Sequence, residues 1–179
     1  MILNSKILGS DEKKIIILHG FLGSLDNWVT FAKKLSNNGY EVHLIDQRNH
    51  GKSFHSDDFN YELMANDLYK YLYEKNINKT SILGHSMGGK TAMLYSLMYP
   101  DTINKLIVVD ILPVNYNTNY DEIFEALLEI DLKEIKSRND FNIHLNKHFD
   151  DPNFILFLSK NLQRTNDGGF NFKSNIKVL

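Results

Sequence analysis

The chain has 179 residues, 42% of them hydrophobic and 23% charged, which fits one folded globular domain with a single core and excludes disordered or collagenous classes. Twenty Lys+Arg against 22 Asp+Glu give a formal charge of −2, so no basic footprint for nucleic acid or an anionic membrane is visible. The absence of cysteine removes disulfide scaffolds, thiolate nucleophiles and Cys-ligated metal sites together.

The first eight residues lack a sustained apolar run, and no later stretch approaches the roughly 18 apolar residues of a membrane span. A cytoplasmic protein acting on a small molecule is expected, with no nucleic-acid or membrane partner and no indication of oligomeric state. Ile15-Ile16-Ile17-Leu18 is continuously apolar and β-branched, which predicts a strand buried on both faces, as in a parallel sheet. Trp28, Phe31 and Leu35 at helical spacing follow, with Asp26 as N-cap and Asn38-Gly39 as stop. Residues 41–46 predict a second strand, 47–60 a long polar loop, and 61–76 a helix with Leu63, Met64, Leu68, Tyr71 and Leu72 on one side.

The alternation continues through a strand at 80–83, a helix from Gly89 to Tyr99 stopped at Pro100, and a strand at 105–110, which is expected at the sheet edge. Repeated strand–helix units give an α/β fold, a doubly wound, mostly parallel sheet. Beyond Ile111 the pattern turns helical, over 121–132, over 137–149, and again after Asp151-Pro152, where Ile155, Leu156, Leu158 and Leu162 mark the apolar side. Residues 1–112 therefore read as the sheet core and 113–179 as a helical lid, with Phe124, Phe141, Phe154 and Phe157 as candidate lining of an acyl pocket.

Gly84-His85-Ser86-Met87-Gly88 falls between a predicted strand and a predicted helix, the setting that G-x-S-x-G requires. Such a turn lifts the Ser86 hydroxyl to the C-terminal edge of the sheet as a nucleophile and aims the Met87 amide at an oxyanion. The same stretch, Gly84 through Thr91, also satisfies the phosphate-binding pattern G-x-x-x-x-G-K-[ST], with Lys90 as the phosphate ligand and the Leu106–Asp110 strand as a magnesium-holding partner. Two other segments discriminate. The nucleotide reading leaves His19-Gly20-Phe21-Leu22-Gly23 and Asp46-Gln47-Arg48-Asn49-His50-Gly51-Lys52-Ser53 without a task. The hydrolase reading uses the His-Gly turn for its second oxyanion amide, that of Phe21.

In order, HGFLGSLDNW, DQRNHGKS, GHSMGGK and VVDILPVNY resemble the α/β-hydrolase superfamily, and within it the small bacterial esterases akin to the mammalian ABHD11 group. The resemblance implies carboxylic-ester hydrolysis through Ser, Asp and His without metal or organic cofactor. It places the acid at Asp110 and the histidine on a loop after the last strand. No strand and no such loop is expected after Asp110, so no general base is identified, and the chain is expected to be truncated and to turn over esters poorly. His19, His50 and His85 read as structural turn residues, His43 as a packed strand residue and His55 as surface. His144 and His148, four apart on one helical face, read as a polar lid face, with metal ligation or a substitute base as the sharper alternatives. Three function classes follow: a serine esterase through Ser86, a nucleotide-binding protein through Gly84 to Thr91, and a non-catalytic binder on a hydrolase fold.

Overall fold

In the computed structural model, which describes residues 1–116 and 120–179, five strands form one sheet: β1 (Ser5–Leu8), β2 (Lys14–Leu18), β3 (Glu41–Ile45), β4 (Thr80–His85) and β5 (Ile103–Val109). Their order is β1-β3-β2-β4-β5. β2 pairs in parallel with β3 and β4, and β4 pairs in parallel with β5. β1, which no sequence pattern announced, joins β3 antiparallel, Ser5 opposite Ile45. This is the expected doubly wound, mostly parallel α/β architecture.

Alternation along β2 explains the double winding. Ile15 and Ile17 enter one cluster with Ala32, Val42, Leu44 and Leu83. Ile16 and Leu18 enter the other with Leu68, Tyr71, Ile82, Ala92 and Tyr95. Successive strand residues face opposite sides, so each cluster seals one face, and each buried isoleucine or leucine contributes about 2 kcal/mol. Helix α1 (Val29–Ser36) supplies Ala32 to the first cluster; α2 (Tyr61–Glu74) and α3 (Met87–Met98) supply the second. Asp26 does not hold the N-cap position expected of it, which falls to Ser24 for the 3-10 turn and to Trp28 for α1. Asp26 lies inside a 3-10 turn, Leu25–Trp28, with Ser24 as N-cap, and the Ser24 amide donates to Asn27 Oδ1 at 2.7 Å to close that turn. Trp28 and Val29 therefore enter the helix from a tighter coil than the spacing implied. β5 closes the sheet on one side, and its Leu106 and Ile107 remain more than a third exposed.

The polar stretch after β3 is a loop, as expected, whose first part, residues 46–50 with Ser53, is buried, while Lys52, His55, Asp57 and Asp58 are exposed. Arg48 Nε donates to Asp67 Oδ2 at 2.6 Å, with both side chains under a tenth exposed, and Arg48 Nη1 donates to the Asp58 carbonyl. Asp67 comes from α2, so the pair pins this stretch to a helix. Asp67→Ala is expected to cost about 3–5 kcal/mol, because it leaves a guanidinium buried without its counter-charge. A denaturant midpoint lowered with an unchanged slope would register it; a variant within 1 kcal/mol of the parent would show the pair to be solvated.

The chain separates into two compact units, Met1–Val114, which holds the sheet, and Asn115–Leu179; residues 117–119 lie outside the described ones. The second unit contains α4 (Asp121–Leu128), α5 (Arg138–Leu145), α6 (Pro152–Ser159) and an antiparallel hairpin of β6 (Leu162–Arg164) and β7 (Phe170–Phe172). Ser137 and Asp140 cap α5 reciprocally, and Asp151 with Pro152 opens α6. The first two helices are shorter than the apolar spacing predicted. The hairpin corrects two further expectations, that no strand follows Asp110 and that Leu162 continues a helix. Arg138 explains the change: its guanidinium donates to the carbonyls of Ser159 and Leu162 at 2.6 and 2.7 Å, ending α6 and releasing Leu162 into β6. Phe141, a candidate pocket residue, is fully buried against Phe172 and belongs to the core of this unit.

Candidate active site

β4 ends at His85 and α3 begins at Met87, so Ser86 alone makes the strand-to-helix turn, with φ 51° and ψ −117°. A non-glycine residue held there stores about 1–3 kcal/mol of strain. The turn is held from both sides. The Ser86 amide donates to the Val109 carbonyl at the end of β5 at 3.0 Å, and the Ser86 carbonyl accepts from Gly89 and Lys90 at 2.9 and 3.1 Å. The flanking glycines are required by close approach: a Cβ on Gly84 would lie 2.2 Å from the Gly88 carbonyl oxygen, and one on Gly88 would lie 2.6 Å from the Leu18 and His19 oxygens. The Met87 amide opens α3, where the helix ladder uses no N–H and the helix dipole is positive.

The second predicted element, the His-Gly turn after β2, abuts this bend. A Cβ on Gly20 would lie 3.3 Å from Ser86 Cβ and 2.8 Å from His85 Nδ1. The turn is closed by the Gly23 amide donating to the Gly20 carbonyl at 3.0 Å, with Leu22 at φ 55°, which brings the Gly20-Phe21 peptide alongside the serine.

His19 fixes that turn. The Gln47 amide donates to its Nε2 at 3.1 Å, so Nε2 carries a lone pair, and Nδ1–H faces the Gly20 carbonyl at 2.8 Å. Gln47 Nε2 donates in return to the His19 carbonyl at 2.8 Å. Burial, partly opposed by the bond to Gly20 and aided by nearby His85, pushes His19 down to about 4. Its neighbour His50, with ring centroid 5.0 Å away, donates from Nδ1 to the Arg48 carbonyl. Burial first, then His19, pushes His50 down to about 3. Both are therefore neutral struts at pH 7. Asp46, at the end of β3, gathers the surrounding chain: its carboxylate accepts from Leu25 N at 2.8 Å, Asn4 Nδ2 at 2.7 Å and Lys52 N at 2.9 Å. The sequence marked these residues as two separate segments, with His19 and His50 as structural turn residues, but not as one supporting network.

Asp110 follows β5 at φ 56° with its side chain 85% exposed, and Oδ2 lies 3.7 Å from His85 Nε2. It is one residue from Val109, the hydrogen-bond partner of Ser86, so the two candidates emerge side by side at the C-terminal ends of adjacent strands. Among the described residues no hydrogen bond joins a histidine ring to the Ser86 hydroxyl.

The nucleotide alternative does not fit this geometry. A phosphate cradle needs a run of loop amides, whereas Gly84 and His85 belong to β4 and Met87 through Thr91 to α3. Lys90 Nζ donates to the Val114 carbonyl at 2.9 Å, and buried Thr91 donates to the Met87 carbonyl. No helix among the described residues is long and apolar enough to cross a membrane.

Comparison with known proteins agrees with this arrangement. The chain is 36% identical over 170 residues to the esterase YbfF of Escherichia coli, covering 94% of this chain and 65% of that protein. It is 34% identical over 159 residues to a putative esterase/lipase of Haemophilus influenzae, covering 88% and 55%. With the sn-1-specific diacylglycerol lipase ABHD11 of Danio rerio the identity is 35% over 176 residues, covering 94% and 55%. The chain thus spans between about half and two thirds of the length of these curated relatives. A solved structure of a marine microorganism esterase superposes with a TM-score of 0.95 at 42% identity, over 99% of this chain and 70% of that one. Residues 13–171 match the alpha/beta hydrolase fold family, and with the strand-serine-helix bend at Ser86 in place, the chain belongs to that family.

Proposed function

We propose that the chain carries the nucleophile and oxyanion site of a serine esterase acting on small carboxylic esters. The observation that supports this best is the Ser86 bend, one strained residue between strand and helix with a second backbone turn against it. Ser86 Oγ attacks the ester carbonyl carbon as its proton passes to a general base, and the carbonyl π pair moves onto oxygen. The amides of Phe21 and Met87 hold that oxyanion, each donor contributing about 3 kcal/mol where such contacts have been probed. Collapse breaks the bond to the alkoxy oxygen, which takes the proton and leaves as alcohol. Water then attacks the acyl-Ser86 ester by the same route and releases the carboxylic acid.

The base is a histidine in the family resemblance, and the role assigned to Asp110 is to orient it and stabilise its cation. No metal or organic cofactor enters any step. We assign the reaction to the cytoplasm. A fluorophosphonate probe tests the assignment of the nucleophile: the expected result is one covalent adduct mapped to the peptide containing Ser86, undiminished in Lys90→Ala. Adducts elsewhere, or nucleotide binding with magnesium that Lys90→Ala removes, would replace the esterase reading.

A further inference from the structure

The second unit holds three ligand-type side chains that ester chemistry does not use. Glu129 is the C-cap residue of α4, His144 sits in the last turn of α5, and His148 lies just beyond it. One ligand atom from each lies within 4.8 Å of the other two, and His148 Nε2 is 3.6 Å from Glu129 Oε2. The two imidazoles face each other with centroids 5.4 Å apart and planes 33° apart. Two ligands on one tetrahedral zinc, each at about 2.1 Å, stand about 3.4 Å apart. The Glu129–His148 pair is already near that spacing, and a ligand atom of His144 stands within 4.8 Å of both.

An ion pair does not account for the cluster, because His144 Nε2 is shielded from solvent and has no hydrogen-bond partner. The ring does bond the backbone of Ala126, and with Nε2 unpartnered the donor is Nδ1–H. That leaves the Nε2 lone pair as an unused buried acceptor. Metal-ligating histidines adopt this same arrangement, with the other ring nitrogen held by a backbone carbonyl. Burial, chiefly, holds His144 below its ordinary value, so it is a neutral ligand at pH 7. Glu129 and His148 remain open on the solvent side, which gives an ion its way in.

We infer that Glu129, His144 and His148 bind a divalent transition-metal ion, zinc or a nitrogen-seeking neighbour such as nickel or copper, with at least one coordination position left to water. The ion ties the C-terminal end of α4 to that of α5 and stabilises this unit, whatever the fate of an ester.

The test is titration of chelator-stripped protein with zinc chloride in a calorimeter, beside thermal melts with and without zinc. One zinc per chain is expected, at a dissociation constant on the order of 1 µM or tighter, with Tm raised by several degrees at about 100 µM zinc. His148→Ala and Glu129→Gln alter partly or largely exposed side chains and should leave the far-ultraviolet circular dichroism unchanged. Each is expected to weaken binding at least tenfold and to remove most of the gain in Tm. Zinc uptake that is unchanged in the folded double variant, or absent in the parent up to millimolar zinc, would overturn the site. The readout is metal uptake alone, so neither outcome bears on Ser86.

Discussion

Ser86→Ala is expected to abolish fluorophosphonate labelling and, on the proposed mechanism, to lower the chain's own ester hydrolysis about 10⁴-fold or more in kcat, with little change in KM. The scale follows from removing the nucleophile of an acyl-enzyme mechanism, whose residual rate comes from the oxyanion donors and binding alone. A second replacement separates chemistry from architecture. Ser86 occupies φ 51°, where a Cβ is strained and glycine is not, so Ser86→Gly is expected to be as inactive as alanine yet about 1 kcal/mol more stable. Retention of a tenth of the hydrolysis by either variant would remove Ser86 from the mechanism. Loss of activity accompanied by lower stability in both would instead mean that the hydroxyl holds the turn together.

Acidification is expected to unfold the protein well above the carboxylate range, between pH 6.5 and 5. His19 and His50 titrate at about 4 and about 3 in the folded chain, against an ordinary value of 6.5 when unfolded. The unfolded state therefore binds protons that the native state refuses. Stability is complete above pH 6.5 and falls as pH drops toward the folded values. Each such histidine costs about 1.4 kcal/mol per pH unit in that window, so the two together reach roughly 3 kcal/mol per unit. His43 and His144, also lowered chiefly by burial, act in the same direction. By pH 5, one and a half units below 6.5, the two together have cost about 4 kcal/mol, which is comparable to the whole stability of a marginal domain.

Urea midpoints measured by circular dichroism from pH 7.5 to 5 supply the slope. His50→Asn keeps a donor for the Arg48 carbonyl but cannot titrate, so its proton uptake on unfolding should fall by one. A slope unchanged by that substitution would show that His50 is hydrated and charged in the fold.

The strand-serine-helix bend was more legible in the sequence than the tertiary wiring around it. The β2, β3, β4 and β5 runs are short, apolar and β-branched, and parallel strands buried on both faces leave that signature. The serine bend was legible because its glycines answer to close backbone contacts a few residues away. What escaped notice depends on distant partners. β1 is nearly featureless as Ser-Lys-Ile-Leu and is a strand because β3 offers it an edge. The β6–β7 hairpin has only three residues a side, although its Asp167-Gly168 turn was a usable signal. The buried pairing of Arg48 with Asp67 crosses from loop to helix, and neither segment reveals its partner by composition. His144 and His148 were recognisable as a pair, but Glu129 joins them only through the packing of α4 beside α5.

The Asp46 carboxylate gives the Ser86 bend a remote dependence. Asn4 grips Asp46, Asp46 is continuous with Gln47, Gln47 clasps His19, and His19 holds the Gly20 peptide that rests beside Ser86. Slack introduced at the fourth residue of the polypeptide would thus travel along a relay of polar links and loosen the turn packed against Ser86, with every residue of that turn still in its place in the gene.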